Sequence, residues 1–210
     1  IQNVPVRAIA VDDLLHTVDL VVCCVKMPDL DAALTSIRPT LAPGGILVTL
    51  QNGVEAHETA ARLIPEAGVV AGRVHGFFEM NGQGVRHVGV PPSILAGCVQ
   101  GDAIRVEQAL MVAFTGSRIP VSVAQNIRRS LWDKFMLAAS IGSVSVALDV
   151  PAGMVLSHPD GSRLLHAAIT EVALLAGAYG ITFDEQDVQR IMDFVGRFPS
   201  DATTSLQRDI

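Results

Sequence analysis

Two nearly continuous apolar runs with a helix candidate between them constrain the fold of this 210-residue chain most strongly. Val18–Val25 and Ile46–Leu50 are rich in β-branched residues, which indicates strands covered on both faces, as in parallel sheets. Asp29–Ile37 lies between them as a predicted helix with Asp29 at its N-cap, and Glu55–Leu63 is a second one. Strand and helix alternating in short units predicts an α/β fold with a doubly wound sheet.

The following residues predict an antiparallel extension of this sheet. Shorter, more evenly spaced runs indicate strands over Val69–Val74, Gly76–Met80, Val85–Val88 and Ser93–Ala96. Pro43-Gly44-Gly45 predicts a turn before the second strand. A helix over Asp102–Phe114 and a strand over Ile119–Val123 complete this part of the chain.

Beyond Gln125 the sequence changes to long helical patterns. Helices are predicted over Asn126–Leu148, over Asp160–Tyr179 with Gly180 at the C-cap, and over Asp184–Val195. In the last of these, one face carries Val188, Ile191, Met192 and Val195. We therefore predict two domains, an α/β domain over residues 1–123 and an all-helical domain over residues 124–210.

Charge and hydropathy disfavour two classes of partner. With 21 acidic against 15 basic side chains, the chain has no basic field for nucleic acid. No uncharged stretch reaches the roughly 18–20 apolar residues that a membrane-spanning helix needs. The chain begins at Ile1 without an initiating Met or a targeting segment, so we expect an N-terminal part to be missing and the protein to be cytoplasmic.

The sequence offers no metal or acyl-transfer motif. Cys23, Cys24 and Cys98 are odd in number and two are adjacent, which favours buried small hydrophobic residues over a disulfide or a metal set. The histidines are scattered without metal-ligand spacing, and no Gly-x-Ser-x-Gly elbow is present. A Gly-x-Gly-x-x-Gly dinucleotide fingerprint is also absent from these residues.

Polar residues follow both early strands, at the edge where ligands bind to open parallel sheets. Lys26 ends the first strand and Gln51-Asn52-Gly53 ends the second, so a cation and an amide face one predicted crevice. A second interpretation stays open, in which Lys26 returns the chain to solvent and Asn52-Gly53 is a turn.

Lys134, in the segment Leu131–Phe135 (LWDKF), is the second candidate for chemistry. The fourteen residues that follow it, Phe135–Leu148, carry no charge, which predicts a largely buried helix and a partly desolvated ammonium. Desolvation lowers the pKa of a lysine and lets it donate a proton near neutral pH. The alternative is a lysine that extends its stem along apolar surface into water.

Taken in order, these segments resemble the ketopantoate reductases (2-dehydropantoate 2-reductases). The resemblance rests on Val18–Lys26 (VDLVVCCVK), Leu50–Gly53 (LQNG), Val85–Gly89 (VRHVG), Leu131–Phe135, and Thr204-Ser205 with Asp209, and it covers nearly the whole chain. It implies a Rossmann-type domain that binds NADP(H), with its glycine fingerprint upstream of Ile1, and a helical domain that closes over a keto acid. It also implies NADPH-dependent reduction of a 2-keto acid, from ketopantoate to pantoate or a related pair, in a possible homodimer.

The resemblance also implies roles for four residues. Lys134 corresponds to the catalytic lysine that protonates the carbonyl oxygen as hydride arrives. Lys26 and Asn52 correspond to cofactor-side residues near the nicotinamide ribose, with Asn52 also near the substrate. Ser205 corresponds to a serine that contacts the substrate.

Two positions depart from the family pattern. Family members usually carry asparagines four and eight residues after the catalytic lysine, where this chain has Ala138 and Gly142. Loss of two amides from a buried site alters discrimination among polar substrates. Two alternatives therefore stay open: reduction of a different keto or imino acid, and a catalytically inactive NADP(H)-binding protein. The residues that choose NADP over NAD would lie upstream of Ile1.

Overall fold

A computed structural model describes residues 7–82 and 84–210 of the chain. The chain divides into two compact units, the first ending at Ile127 and the second running from Arg128 to Ile210. The sequence-based division into domains 1–123 and 124–210 stays a prediction. Within the described residues no helix is both long and apolar enough to cross a membrane.

The first unit is a five-stranded sheet with helices between its strands. Its order is β1-β2-β3-β4-β5, and β3 with β4 is the antiparallel pair while the other neighbouring strands are parallel. The elements are β1 (Val18–Cys23), α1 (Leu30–Ile37), β2 (Leu41–Thr49), α2 (Ala56–Leu63), β3 (Gly68–Asn81), β4 (Gly84–Gln100), α3 (Ala103–Ala113) and β5 (Val121–Val123).

Alternating side chains of β2 lie in two separate hydrophobic cores. Leu47 packs with Leu30 and Leu34 of α1, on the face that α2 also covers. Its neighbours Ile46 and Val48 pack on the other side, in a core that includes Val106 and Leu110 of α3. Because helices cover both faces of the sheet, the structure confirms the predicted doubly wound α/β fold, including its antiparallel extension.

Two strand predictions differ from the structure in detail. Pro43-Gly44-Gly45, predicted as a turn, lies inside β2, where the register jumps from Val18↔Leu41 to Leu20↔Ile46. Gly44 adopts φ +70° there, so the three residues form a bulge within the strand. The four short strands predicted after α2 are instead two long ones, β3 and β4. Their pairing is interrupted by an irregularity between His75 and Phe77, which the sequence pattern showed as a break.

The cysteines differ from the predicted burial at two positions. Cys23 is buried in β1, but Cys24 lies just beyond the strand and is exposed, and Cys98 is half-buried. All three are free thiols. Partial burial of its thiol, with a smaller contribution from Cys23, raises the pKa of Cys24. Among the described residues, no group of three His, Cys, Asp or Glu side chains is placed to hold a metal ion.

The second unit is helical, as predicted. It contains most of α4 (Ile127–Ala147), which starts at the end of the first unit, a 3₁₀ segment over Ala152–Ser157, α5 (Gly161–Ala178), α6 (Glu185–Val195) and α7 (Ser205–Asp209). Its core includes Met136, Ile141, Leu165, Ile169, Val188, Ile191 and Val195. The predicted apolar face of α6 is therefore the face that packs.

Helix ends in the second unit are fixed by local hydrogen bonds. Asp184 and Asp187 form a capping box at the start of α6, and Thr204 and Gln207 form one at the start of α7. Gln207 also donates from Nε2 to the carbonyl oxygen of Val150 at 2.9 Å. This bond anchors the short helix α7 to the chain that follows α4.

A cluster of four charged side chains joins α4 to α6. Arg190 contacts Asp133 at 2.6 Å and Asp187 at 3.0 Å, and Arg129 contacts Asp187 at 2.7 Å. Burial raises the pKa of Asp187, but hydrogen bonds from Arg190, from the Asp184 backbone and from Arg129 outweigh it and hold that pKa below its ordinary value. Asp187, whose side chain is 14% exposed, therefore favours folding in its charged form.

We expect Asp187→Asn to lower the free energy of unfolding by about 1–3 kcal/mol at neutral pH, because two arginines lose a charged acceptor. A carboxyl whose pKa is lowered by folding stabilises above its unfolded pKa, and this contribution is lost as the pH falls through the folded pKa. Urea unfolding followed by helical circular dichroism at several pH values measures the difference. It should shrink on acidification, whereas Glu171→Gln, a change at an exposed carboxyl on α5, should have little effect at any pH. A loss that is constant with pH would contradict this account.

Candidate active site

The carboxyl ends of β1 and β2 meet at one edge of the sheet. The two strands are parallel, with Cys23 opposite Thr49 at their ends. The backbone N–H of Leu50 donates to the carbonyl oxygen of Cys23 at 3.3 Å, which continues the pairing one step further. The segments that carry Lys26 and Asn52 begin from this shared edge.

Gln51 links these two segments through its side chain. Gln51 as a whole is 9% exposed, and Nε2 donates to the carbonyl oxygens of Cys23 at 3.0 Å and of Val25 at 3.1 Å. Lys26 directly follows Val25, and Asn52 directly follows Gln51. The structure therefore brings the two predicted cofactor-side segments together.

Lys26 and Asn52 present polar groups at this edge. Lys26 is exposed and extended, with φ −69° and ψ 155°, and it precedes a 3₁₀ turn over Met27–Asp29. Asn52 is exposed, and Gly53 adopts φ +103° in a turn that leads into α2. A Cβ on Gly53 would meet no described atom within 4 Å, so this turn leaves open space at the edge. A cation, an amide and open space suit a polar ligand such as a nucleotide.

Lys134 lies on a segment of α4 whose neighbouring residues are fixed by packing and by an ion pair. Leu131 and Trp132 before it and Met136 after it are buried, and Lys134 itself is half-buried. The Trp132 ring contacts Phe135 and Tyr179, with centroids 5.7 and 5.2 Å away. The neighbouring Asp133 is bound by Arg190. These contacts restrict rotation of α4, so the direction in which Lys134 projects is fixed by its neighbours.

Ala138 and Gly142 share the helix face of Lys134, one and two turns further along α4. Ala138 is exposed and Gly142 is buried. A Cβ on Gly142 would lie 3.6 Å from Leu206 Cδ2, an ordinary contact distance. Leu206 directly follows Ser205, the exposed first residue of α7. The residue after the predicted substrate serine therefore lies beside Gly142, one of the two positions at which an asparagine was expected.

Sequence reasoning missed the roles of Gln51 and Leu206. The motif containing Gln51 was recognised, but a glutamine after a strand carries no signal that separates a buried bridge from a solvated turn. Leu206 contacts a helix whose nearest residues are more than fifty positions away in sequence. No local pattern could show that contact.

A parallel-dominated sheet covered on both faces, followed by a helical unit, defines a protein with a Rossmann-type N-terminal part and a helical C-terminal part. Residues 2–101 match the family model described as ketopantoate reductase PanE/ApbA, and residues 126–210 match the model of its C-terminal region. The chain belongs to the ketopantoate reductase family.

A curated relative agrees with this assignment, and solved structures share the fold. The chain is 28% identical over 193 residues to a 2-dehydropantoate 2-reductase of Halobacterium salinarum, covering 91% of this chain and 63% of the relative. A dimeric ketopantoate reductase from Staphylococcus aureus superimposes with a TM-score of 0.80 at 22% identity, covering 95% of this chain and 66% of that one. A D-mandelate dehydrogenase bound to NADH and anilino(oxo)acetate gives 0.82 at 16% identity, covering 96% and 64%. The chain thus spans less than two thirds of the length of these relatives.

We expect Gly142→Ala to raise the free energy of unfolding by about 0.5–1 kcal/mol, because alanine favours the helix and its methyl group fits at ordinary contact distance from Leu206. Gly153→Ala is the contrasting variant, since its Cβ would fall 1.8 Å from the carbonyl oxygen of Pro199. That change should destabilise the second unit. Urea unfolding of both variants tests the packing, and a loss of stability in Gly142→Ala would contradict the described contact.

Proposed function

We propose that the protein to which this chain belongs is an NADPH-dependent reductase of a 2-keto acid, and that Lys134 is its general acid. The observation that carries the proposal is the position of Lys134. In a chain of the ketopantoate reductase family, it lies half-buried on a fixed helix, on the face that continues to Gly142 and the start of α7.

Lys26 and Asn52 are the proposed cofactor-binding residues. The exposed ammonium of Lys26 suits anionic or hydroxyl oxygens, and the amide of Asn52 suits a ribose hydroxyl or a carbonyl group. When bound, NADPH supplies the hydride for the reduction. Lys26, Asn52 and the open turn at Gly53 would hold and orient it at the sheet edge.

Lys134 holds the proton that completes the reaction. As hydride adds to the carbonyl carbon of the 2-keto acid, negative charge develops on the carbonyl oxygen. The ammonium stabilises this charge and donates a proton from Nζ to the oxygen, giving a 2-hydroxy acid and a neutral amine. Asn52 and the hydroxyl group of Ser205 are the proposed contacts to the substrate.

The first candidate for the keto acid is ketopantoate. The Halobacterium relative is named a 2-dehydropantoate 2-reductase, which supports ketopantoate. Ala138 and Gly142, however, put no polar side chain on the helix face of Lys134 at either position. This favours, as a second candidate, a 2-keto acid with an apolar side group. A homodimer and a cytoplasmic location stay predictions, with the dimeric Staphylococcus aureus structure supporting the first.

NADPH oxidation by the full-length protein tests the proposal. The panel contains ketopantoate, 2-ketoisovalerate and phenylglyoxylate. Lys134→Ala should lower kcat by about 10² to 10⁴, the range for loss of a general acid, while binding of NADPH is retained. Arg128→Ala, at an exposed cation on the same helix, is the control and should leave kcat unchanged. Activity of Lys134→Ala within threefold of the unmodified protein would remove Lys134 from this role.

The substrate preference is tested by restoring the two amides. We expect the double variant Ala138→Asn, Gly142→Asn to raise kcat/KM for ketopantoate relative to 2-ketoisovalerate by about tenfold or more, since new partners become available to the hydroxyl group of ketopantoate. Ala147→Asn, at an exposed position on the opposite face of α4, is the matched control. An unchanged ratio would show that α4 does not set the preference.

A further inference from the structure

The Gln51 side chain extends the pairing of β1 and β2 beyond the last backbone hydrogen bond between them. In the described part of the chain this pairing ends with donation from Leu50 N–H to the Cys23 carbonyl oxygen at 3.3 Å. Gln51 Nε2 then donates to that same oxygen and to the carbonyl oxygen of Val25. Its two N–H groups thus take the place of the backbone donors that a longer strand would provide.

These bonds fix the backbone immediately before Lys26. The Val25 carbonyl group is held by Gln51, and the Lys26 carbonyl oxygen accepts from the Asp29 backbone N–H at 3.0 Å. Lys26 is therefore restrained from both sides, although it is exposed and lies outside any strand. Since Asn52 is the next residue after Gln51, the same bridge also sets where Asn52 lies relative to Lys26.

The Gln51 amide is held in an arrangement that costs free energy. Two carbonyl acceptors require the NH₂ group, so they determine which way the amide points. The remaining Oε1 is buried and has no hydrogen-bond partner among the described residues. A buried acceptor without a partner costs free energy, and such groups in folded proteins call for an explanation. The positioning of Lys26 and Asn52 is such an explanation.

We infer that Gln51 is a positioning residue that holds Lys26 beside Asn52, so that both side chains reach the same nucleotide ligand. The inference rests on the proposed function, because the ligand is the NADPH of that reaction. Gln51 acts through Lys26 and the loop, not by proton transfer. Its loss should therefore weaken cofactor binding and leave the chemical step nearly unchanged.

The test compares Gln51→Glu and Gln51→Met in the full-length protein. Glutamate keeps the shape but replaces the two donors with acceptors facing two carbonyl oxygens, and methionine keeps the apolar stem without a donor. We expect the Kd of NADPH, measured by fluorescence titration, to rise about tenfold or more in both variants. The KM for NADPH should rise with it, while kcat changes less than threefold.

Gln100→Glu is the matched control. The Gln100 amide also bridges carbonyl oxygens, those of Ile64, Pro65 and Ala67. Gln100 is, however, the last residue of β4 and pairs with Val69 near the start of β3, so it lies at the end of the sheet opposite to the carboxyl ends of β1 and β2. Its loss should lower stability without raising the Kd of NADPH. If Gln51→Glu and Gln100→Glu changed the Kd equally, the effect of Gln51 would be a general loss of stability, which would overturn the inference.

A double-mutant cycle with Lys26→Ala tests whether Gln51 affects NADPH binding through Lys26. If Gln51 acts through Lys26, the Gln51→Met change should raise the Kd much less in the Lys26→Ala background than in the unmodified protein. Fully additive effects, or a Kd within twofold of normal in both Gln51 variants, would overturn the inference while leaving the proposed function intact. Failure of the unmodified protein to bind NADPH would instead overturn the proposed function, and the inference with it.

Discussion

The parallel pairing of β1 with β2 is the constraint on which the first unit depends. It fixes a register in which Leu47 enters one core while Ile46 and Val48 enter the other, so helices must cover both faces of the sheet. The same pairing brings the carboxyl ends of the two strands to one edge. A slip by one residue would exchange the two cores and separate the segments that carry Lys26 and Asn52. Burial of apolar side chains thus determines where the polar residues lie.

In the second unit, the packing of helix α4 is the constraint that determines where the candidate residues lie. Its charged contacts, through Arg129 and Asp133, fix one side of the helix against α6, and its core residues fix another. A third face of α4 carries Lys134, Ala138 and Gly142, and Leu206 lies over its far end, at Gly142. The capping box of α7 and the bond from Gln207 to Val150 hold that cover in place. The two units thus prepare their candidate residues by different means, strand pairing in one and helix packing in the other.

Periodicity predicted most elements because burial dominates them: β1, the six helices α1 to α6 and the doubly wound sheet follow from apolar spacing. Periodicity failed to predict backbone geometry that depends on the neighbouring strand. Pro43-Gly44-Gly45 forms a bulge instead of a turn because β1 continues beside it, and the long strands β3 and β4 are continuous because each supports the other. For the candidate site, strand ends located Lys26 and Asn52. The Gln51 bridge and the approach of Leu206 to the position of Gly142 could not be predicted, since both join residues distant in sequence.

The sheet edge and helix α4 differ in their amide side chains, and this difference bears on how the proposed activity is organised. At the sheet edge the chain buries Gln51, whose Oε1 has no hydrogen-bond partner in the part of the chain that the structure describes, and we attribute this cost in free energy to the need for a fixed geometry. On α4 it has Ala138 and Gly142, where the resemblance to the family leads us to expect asparagines. In the proposed reductase, the parts that hold the cofactor and supply the proton are thus preorganised, while the helix face toward the substrate carries little polar restraint. Reaction type and substrate preference then depend on separate residues, and the second can change without disturbing the first.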